Sequence, residues 1–351
     1  MSTVQAPPVE RFALPPEREA NAPPERRGTP RDRVRLLVGR PAGIEHRVFR
    51  DLPELLAPGD LIVVNTSATL AAALVGADRD GRPIRLHVAG ALDDGDWIVE
   101  PRLTDGSGPD LDTGRRGHRL YLPDRLILVL TAAYPDPAAT SSRVWRARPS
   151  RVVPTAAYLA ERGQPITYGH LRGHYPLADY QTVFATEPGS AEMPSAARPF
   201  SAELVVRLLT RGVAVAPVVL HAGVSSPELH EPPLPERFTV PAATARLVNS
   251  TRNAGGRVVA IGTTATRALE TATAADGNVT AAAGWTDLVL GPHRPARVVT
   301  GLVSGLHAPE ATHQLLLQAV AGPDLVAAVY AAAVRKDYLW HEFGDSSVFL
   351  P

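Results

Sequence analysis

Several short stretches of this chain bring together side chains suited to moving protons or holding charge. In Val258-Val259-Ala260-Ile261-Gly262-Thr263-Thr264, Gly262 permits a tight turn between an apolar strand and a helix. The N–H groups of that turn face whatever lies beyond the strand's carboxyl end, a position that favours an anionic group. Arg267 and Glu270 lie one helical turn further in. The same residues also describe a plain strand-turn-helix joint, with Thr263 or Thr264 as N-cap and Arg267 with Glu270 as an i,i+3 surface pair. His221 ends the run Val213 to Leu220, ahead of Ala222-Gly223, and His307 stands in Gly305-Leu306-His307-Ala308-Pro309. A histidine near its ordinary pKa of about 6.5 takes or returns a proton near neutral pH, and a strand-end histidine equally serves as a hydrogen-bonded structural residue. Tyr180-Gln181-Thr182 places a ring and two hydrogen-bonding side chains together; read as a half-buried strand, it sets Tyr180 and Thr182 on one face. The segment Gly189 to Ser201 reads as an irregular loop that delivers small and polar groups, Ser195 among them, to the start of a helix.

The elements that must position these residues are of two kinds. Arg35 to Val38 and Glu45 to Phe49 read as strands around a Pro41-Ala42-Gly43 turn, Asp51 caps a short helix through Leu56, and Pro58-Gly59-Asp60 leads into the apolar strand Leu61 to Val64. From Gly81 to about Ser150, β-patterned runs follow one another at turn-delimited spacing: Ile84 to Val88, Trp97 to Glu100, Arg119 to Leu122, Leu126 to Leu130 and Val144 to Arg148. That density of short strands predicts a small barrel or sandwich. After Ser201, which can cap a helix with Leu204, Val205, Leu208 and Leu209 on its apolar face, the pattern changes. Buried strands Val213 to Leu220 and Val258 to Ile261 alternate with helices over Pro241 to Asn253, Thr264 to Ala275, Ala311 to Val320 and Leu325 to Lys336. The expectation is an α/β protein: a mixed α/β main domain over 31–75 and 151–351, an inserted all-β, barrel-like domain over 76–150, and a loosely ordered Pro- and charge-rich arm over 1–30.

Composition narrows the chemistry. A chain of 351 residues, 44% hydrophobic, can bury the cores of two domains. The 34 prolines, about twice ordinary usage, stiffen loops. Formal net charge is zero, so RNA contact falls to local clusters: Arg26, Arg27, Arg31, Arg33 and Arg35; Arg115, Arg116, His118 and Arg119; Arg143, Arg146, Arg148 and Arg151. Each cluster reads equally as a solvated face. The absence of cysteine excludes disulfides, Cys-ligated zinc and thiolate catalysis. No apolar run approaches the ~18 residues of a membrane helix and the N-terminus has no apolar signal region, so a cytoplasmic protein is expected.

The segments Asp179-Tyr180-Gln181-Thr182-Val183-Phe184-Ala185, Gly189-Ser190-Ala191-Glu192-Met193-Pro194-Ser195 and Val258 to Glu270 together resemble the signature of the S-adenosylmethionine:tRNA ribosyltransferase-isomerases of queuosine biosynthesis, and the resemblance runs from Arg31 to Leu350. It implies an enzyme that moves the ribosyl part of S-adenosylmethionine onto the 7-aminomethyl-7-deazaguanine base of tRNA, giving epoxyqueuosine, adenine and methionine. It implies a cofactor pocket formed by Tyr180, Gln181, Thr182, Ser195, Gly262, Thr263, Thr264, Arg267 and Glu236, with His221 or His307 as the proton carrier and no metal. Glu236-Arg237-Phe238 corresponds to the family's ERY, His307 to the histidine of its NFHLP segment, and Gly344-Asp345 to its YGD turn.

The chain also departs from the family pattern. Asn65-Thr66-Ser67-Ala68-Thr69 stands where the family has NDTRV, Ala73 replaces a second Arg and Arg85 a Glu. Ala196-Ala197-Arg198-Pro199-Phe200 has lost the Gly and His of AGLHF, Leu234 replaces the His of MHAER, and Gly305, Leu306 and Glu310 interrupt NFHLPKS. These losses remove charge and imidazole from positions suited to acid–base work or phosphate binding. Two alternatives therefore stand beside the family's own reaction: a paralogue that uses S-adenosylmethionine on a small-molecule acceptor, and a non-catalytic S-adenosylmethionine-binding module.

Overall fold

A computed structural model describes residues 12–105, 108–225, 232–309 and 311–351. In chain order its strands are β1 (Arg35–Arg40), β2 (Gly43–Val48), β3 (Leu61–Asn65), β4 (Ser67–Thr69), β5 (Ala73–Ala77), β6 (Pro83–Ala91), β7 (Trp97–Arg102), β8 (Arg119–Leu122), β9 (Leu126–Ala133), β10 (Trp145–Pro149), β11 (Glu187–Ser190), β12 (Ala214–Leu220), β13 (Glu236–Val240), β14 (Val258–Ile261), β15 (Ala282–Thr286), β16 (Gly301–Gly305) and β17 (Ser346–Phe349). The α-helices are α1 (Leu52–Leu55), α2 (Thr155–Arg162), α3 (Ala202–Thr210), α4 (Ala242–Asn253), α5 (Thr263–Thr271), α6 (His313–Ala321) and α7 (Pro323–Arg335).

The main sheet runs β15-β13-β12-β3-β14-β16-β17-β1-β2. Its centre, β12-β3-β14-β16, is parallel, so Leu220, Asn65, Ile261 and Gly305 end their strands along one edge. The side-chain alternation of a strand explains the three layers. Leu61 and Val63 enter one core with Ala245, Leu269, Leu317 and Val329 of α4 to α7, while Ile62 and Val64 enter another with Leu52, Leu204 and Leu208 of α1 and α3. Ser201 caps α3 by accepting the Leu204 N–H at 3.2 Å, as its position predicts.

Strands β5 to β10 close into a six-stranded barrel in the order β10-β7-β6-β5-β8-β9, every pairing antiparallel. Leu126, Leu128 and Leu130 point inward with Trp97, Val99 and Leu120, while Ile127 and Val129 stay half exposed. The closing strand, β5, begins at Ala73, so the barrel starts inside the stretch the sequence pattern assigned to the main domain. A run of small residues, Ala-Leu-Val-Gly-Ala, carries too little β-branched or aromatic content to announce a strand.

Residues 12–30 correct the expectation of a loose arm, whose first residues, Pro7 and Pro8 among them, lie outside the described residues. Phe12 packs against Tyr330 and Trp340, and Ala20 is fully buried. Pro16 and Pro24 each begin a 3-10 turn, where the missing proline N–H costs nothing. Several of its charges are paired: Glu25 with Arg31 at 2.9 Å and Arg198 at 2.8 Å, Arg26 with Asp179 at 3.2 Å. Composition marked the segment as unable to bury surface, but its partners come from distant parts of the chain. Among the described residues no helix is long and apolar enough to cross a membrane.

Candidate active site

The loops leaving β12, β14 and β16 converge at the carboxyl edge of the parallel strands and, with the loop Ala191 to Ala196 and the barrel-side segment at Ile166 to His170, enclose a cavity of about 570 Å³. Crevices of this size, at this edge of an α/β sheet, are where such folds hold nucleotide-sized ligands.

Gly262, Thr263 and Thr264 line the cavity. Gly262 has φ 94°, a left-handed conformation that side chains resist, and a Cβ there would lie 3.2 Å from that of Ala196. It is itself the N-cap of α5, in place of either threonine, so the hydroxyls of Thr263 and Thr264 are not drawn into capping the helix. Ser195 lies opposite, within the same cavity.

Arg267 and Glu270 form no surface pair. Arg267 is buried, donates to the carbonyls of Leu288 at 3.1 Å, Thr286 at 3.2 Å and Leu234 at 3.3 Å, and forms an ion pair with Glu236. Glu236 also accepts the Gly223 N–H at 2.9 Å, while burial pushes its carboxyl up against the opposing pull of Arg267. Both line the cavity wall, but the guanidinium is spent on holding three strand-end segments together. Glu270 accepts the backbone N–H groups of Arg297, Val298 and Val299, each at 2.9 Å, and fixes the chain entering β16.

The two histidines part company. His307 lines the cavity, shares a 2.9 Å hydrogen bond between Nε2 and Ser304 Oγ, and stacks on His313 with ring centroids 4.5 Å apart at 6°. Burial, then the neighbouring His313 and His341, hold the His307 imidazole well below its ordinary range; burial and Arg267 bring His313 down to about 4. Both rings are neutral at pH 7. His221 does not line the cavity. Its Nδ1 shares a 2.8 Å hydrogen bond with Ser67 Oγ, which meets Ser190 Oγ at 2.6 Å, and its ring lies flat against Gly189, where a Cβ would fall 2.2 Å from the imidazole. It ties the end of β12 to β4 and β11.

Of the triplet at 180–182, only Tyr180 reaches the cavity, from the end of a 3-10 turn and not from a strand. Gln181 commits both ends of its amide to Thr69, accepting its N–H at 3.0 Å and donating to its carbonyl at 2.8 Å, and Thr182 Oγ1 accepts the Phe184 N–H. They brace the loop. Asn65, the one residue retained from the family's NDTRV, clasps β3 to β12 by donating to the Leu220 carbonyl at 2.8 Å and accepting the N–H groups of Leu220 and Ser67, each at 3.0 Å.

Sequence reasoning passed over His313, Tyr168, His170, Glu192, His341 and Glu342, all of which line the cavity. Glu192 offered a signal, being the lone charge in a loop otherwise of small and apolar residues. Glu310 lies outside the described residues. Among those residues, no three His, Asp or Glu side chains gather at metal-ligand spacing.

The fold and cavity define an α/β protein with an inserted barrel and a nucleoside-sized cleft at the carboxyl edge of its parallel strands. The sequence places it more narrowly: residues 10–349 match the model of the queuosine biosynthesis protein family, and the chain belongs to that family. Among its relatives are S-adenosylmethionine:tRNA ribosyltransferase-isomerases of Thermotoga maritima, 33% identical with 97% of this chain and 98% of that one covered, and of Symbiobacterium thermophilum, 36% identical with 97% and 98% covered. The crystal structure of the S-adenosylmethionine tRNA ribosyltransferase from Thermotoga maritima superimposes with a TM-score of 0.53 at 30% identity, covering 97% of this chain and 99% of that one.

Proposed function

We propose that this protein is an S-adenosylmethionine:tRNA ribosyltransferase-isomerase, binding S-adenosylmethionine in the cavity and transferring its ribosyl part to the 7-aminomethyl-7-deazaguanine base of tRNA, with release of adenine and methionine. The observation that carries this reading is the full-length match to relatives of that name, together with a cleft in which Gly262, Thr263, Thr264, Ser195 and His307 meet.

The site chemistry supports it. The N–H groups that open α5 suit the methionyl carboxylate or a ribose hydroxyl. Tyr180 offers an aromatic face, which suits a sulfonium. The sulfonium acidifies the adjacent C5′–H; a base removes that proton, collapse of the ribose expels adenine as the acceptor amine is alkylated, and cleavage of the C5′–S bond with closure of the epoxide releases methionine. His307 is the proton acceptor in this reading, because it is neutral at pH 7, faces the cavity and is oriented by Ser304. His221, turned toward Ser67, has no part in proton transfer. The decisive assay follows free adenine by chromatography on incubation with S-adenosylmethionine and tRNA bearing the aminomethyl base; replacing Thr264 or His307 is expected to abolish it.

One observation favours a small-molecule acceptor as the second reading. Among the described residues lining the cavity, Arg267 is the sole guanidinium, and its donors are taken by Glu236 and three carbonyls. Adenine release that is indifferent to added tRNA but rises with a small aminomethyl acceptor selects this alternative.

A further inference from the structure

The cavity has a second chemical character where Tyr168, His170, Tyr180, Glu192 and Glu342 line it. Tyr168 meets the barrel residue His87 edge-on there. Glu192 accepts from the Tyr168 hydroxyl, from the Ser225 N–H at 2.8 Å and from the Ser225 hydroxyl. Glu342 accepts from His170 Nε2 at 3.1 Å, and the His170 ring stacks between Tyr168, at 6.3 Å, and His341, at 4.4 Å. The two carboxylates act on one another, and the adjacent His341 turns its Nε2 to Glu19 at 3.2 Å. The carboxylates thus outnumber the cations that answer them. Both carboxylates are only half-buried, and of the two only Glu342 is answered by a potential cation, His170; Glu192 has none among the described residues, and a cation bound beside it relieves the cost of its partial burial.

An independent observation points the same way. Tyr180 is 4% exposed and lines this part, yet its hydroxyl is buried with no hydrogen-bond partner among the described residues. Buried hydroxyls are normally satisfied, and one left unpaired beside a cavity awaits a partner from the ligand. Glu342 is the carboxylate whose charge acts most on it. Oxygen acceptors from Glu192, Glu342 and Tyr180, with the aromatic faces of Tyr168 and His170, match a primary ammonium, which offers three N–H donors around a compact charge.

We propose that this part of the cavity is an ammonium-binding subsite, and that it takes the primary amine of the acceptor. In that role Glu192 receives one proton from the bound ammonium, R–NH₃⁺ and carboxylate giving R–NH₂ and carboxylic acid, so that nitrogen's lone pair is freed at the place where the ribosyl group arrives. The assignment to the acceptor rests on the proposed reaction; the ammonium site itself does not. The α-ammonium of S-adenosylmethionine is the other source of the same chemistry, and the test separates the two.

Calorimetry on the full chain measures S-adenosylmethionine binding and, separately, binding of the free 7-aminomethyl-7-deazaguanine base and its 7-methyl analogue, for the wild type, Glu192→Gln and Tyr180→Phe. The expected result is that the wild type prefers the aminomethyl base at least tenfold, both variants lose that preference, and the S-adenosylmethionine affinity of Glu192→Gln changes less than threefold. Wherever adenine release is measurable, the Glu192→Gln variant is expected to raise the acceptor KM at least tenfold with the KM for S-adenosylmethionine unchanged. Loss of S-adenosylmethionine affinity with acceptor preference intact overturns the acceptor assignment, and unchanged binding of both ligands overturns the subsite. Tyr180→Phe removes one oxygen and keeps the ring, so the test stands if Glu192→Gln fails to fold. A wild type that binds the aminomethyl base selectively but releases no adenine refutes the reaction and leaves the ammonium site standing.

Discussion

At the level of single residues, the division of labour between the two candidate histidines follows from what backs each ring. Both follow a strand at the same sheet edge, so spacing could not separate them. Gly189 lets the His221 ring lie flat toward Ser67, whereas Ser304 and His313 hold His307 at the cavity wall. A base must be unprotonated, and the His307 imidazole is held below its ordinary range, so the acid limb of the kcat profile is expected to fall below pH ~6.5. The His307→Gln variant should lose at least 100-fold in adenine release, a loss in the usual range for removing a general base of ~10²–10⁴; His221→Gln should keep most of its turnover while melting earlier. His313 gives a stability signature. Its folded pKa of about 4 lies below the unfolded value of about 6.5, so the unfolded state binds the proton first and stability falls as pH drops through that window. The fall is up to about 3 kcal/mol, reduced by water reaching the ring from the cavity. Denaturant titrations between pH 7 and 4 should show this component vanish in His313→Gln.

At the level of elements, the strand ends matter more than the strand interiors. Asn65 uses three hydrogen bonds to clasp β3 to β12, and its replacement by Ala leaves buried partners unsatisfied; a loss of about 2–4 kcal/mol is expected in chemical unfolding, with adenine release impaired in proportion. The runs legible in the sequence were those with one dominant signal: apolar continuity in β3, β12 and β14, turn-spaced alternation in the barrel, and Ser201 ahead of α3. The rest was hidden for identifiable reasons. β5 is made of small residues, and β13, β15, β16 and β17 are strands of four or five residues whose pairings join distant segments, β17 lying between β16 and β1. Arg267 and Glu270 looked like a surface pair because helical spacing reports who is near whom along one helix, while their true partners come from β13 and the loop before β16. Gln181 and Thr182 looked like ligand groups because their partner, Thr69, and the turn that absorbs them are set by tertiary structure.

For the molecule as a whole, the parallel centre of the main sheet supplies one edge, the segment at Ile166 to His170 that follows the barrel supplies a wall beyond it, and the N-terminal segment locks the two loops at 179 and 198 through Arg26 and Glu25. Cleft, wall and lock come from widely separated parts of the chain, which is why the cavity's carboxylates were invisible from sequence alone. What decides the function is whether that cleft performs ribosyl transfer. The most direct measurement is adenine released from S-adenosylmethionine by the wild-type protein, with and without tRNA carrying the aminomethyl base, beside His307→Gln. The expected result is tRNA-dependent adenine, stoichiometric with modified base and lost in the variant; no adenine above background with either the tRNA or a small aminomethyl acceptor, or equal release by His307→Gln, contradicts ribosyl transfer in this cleft.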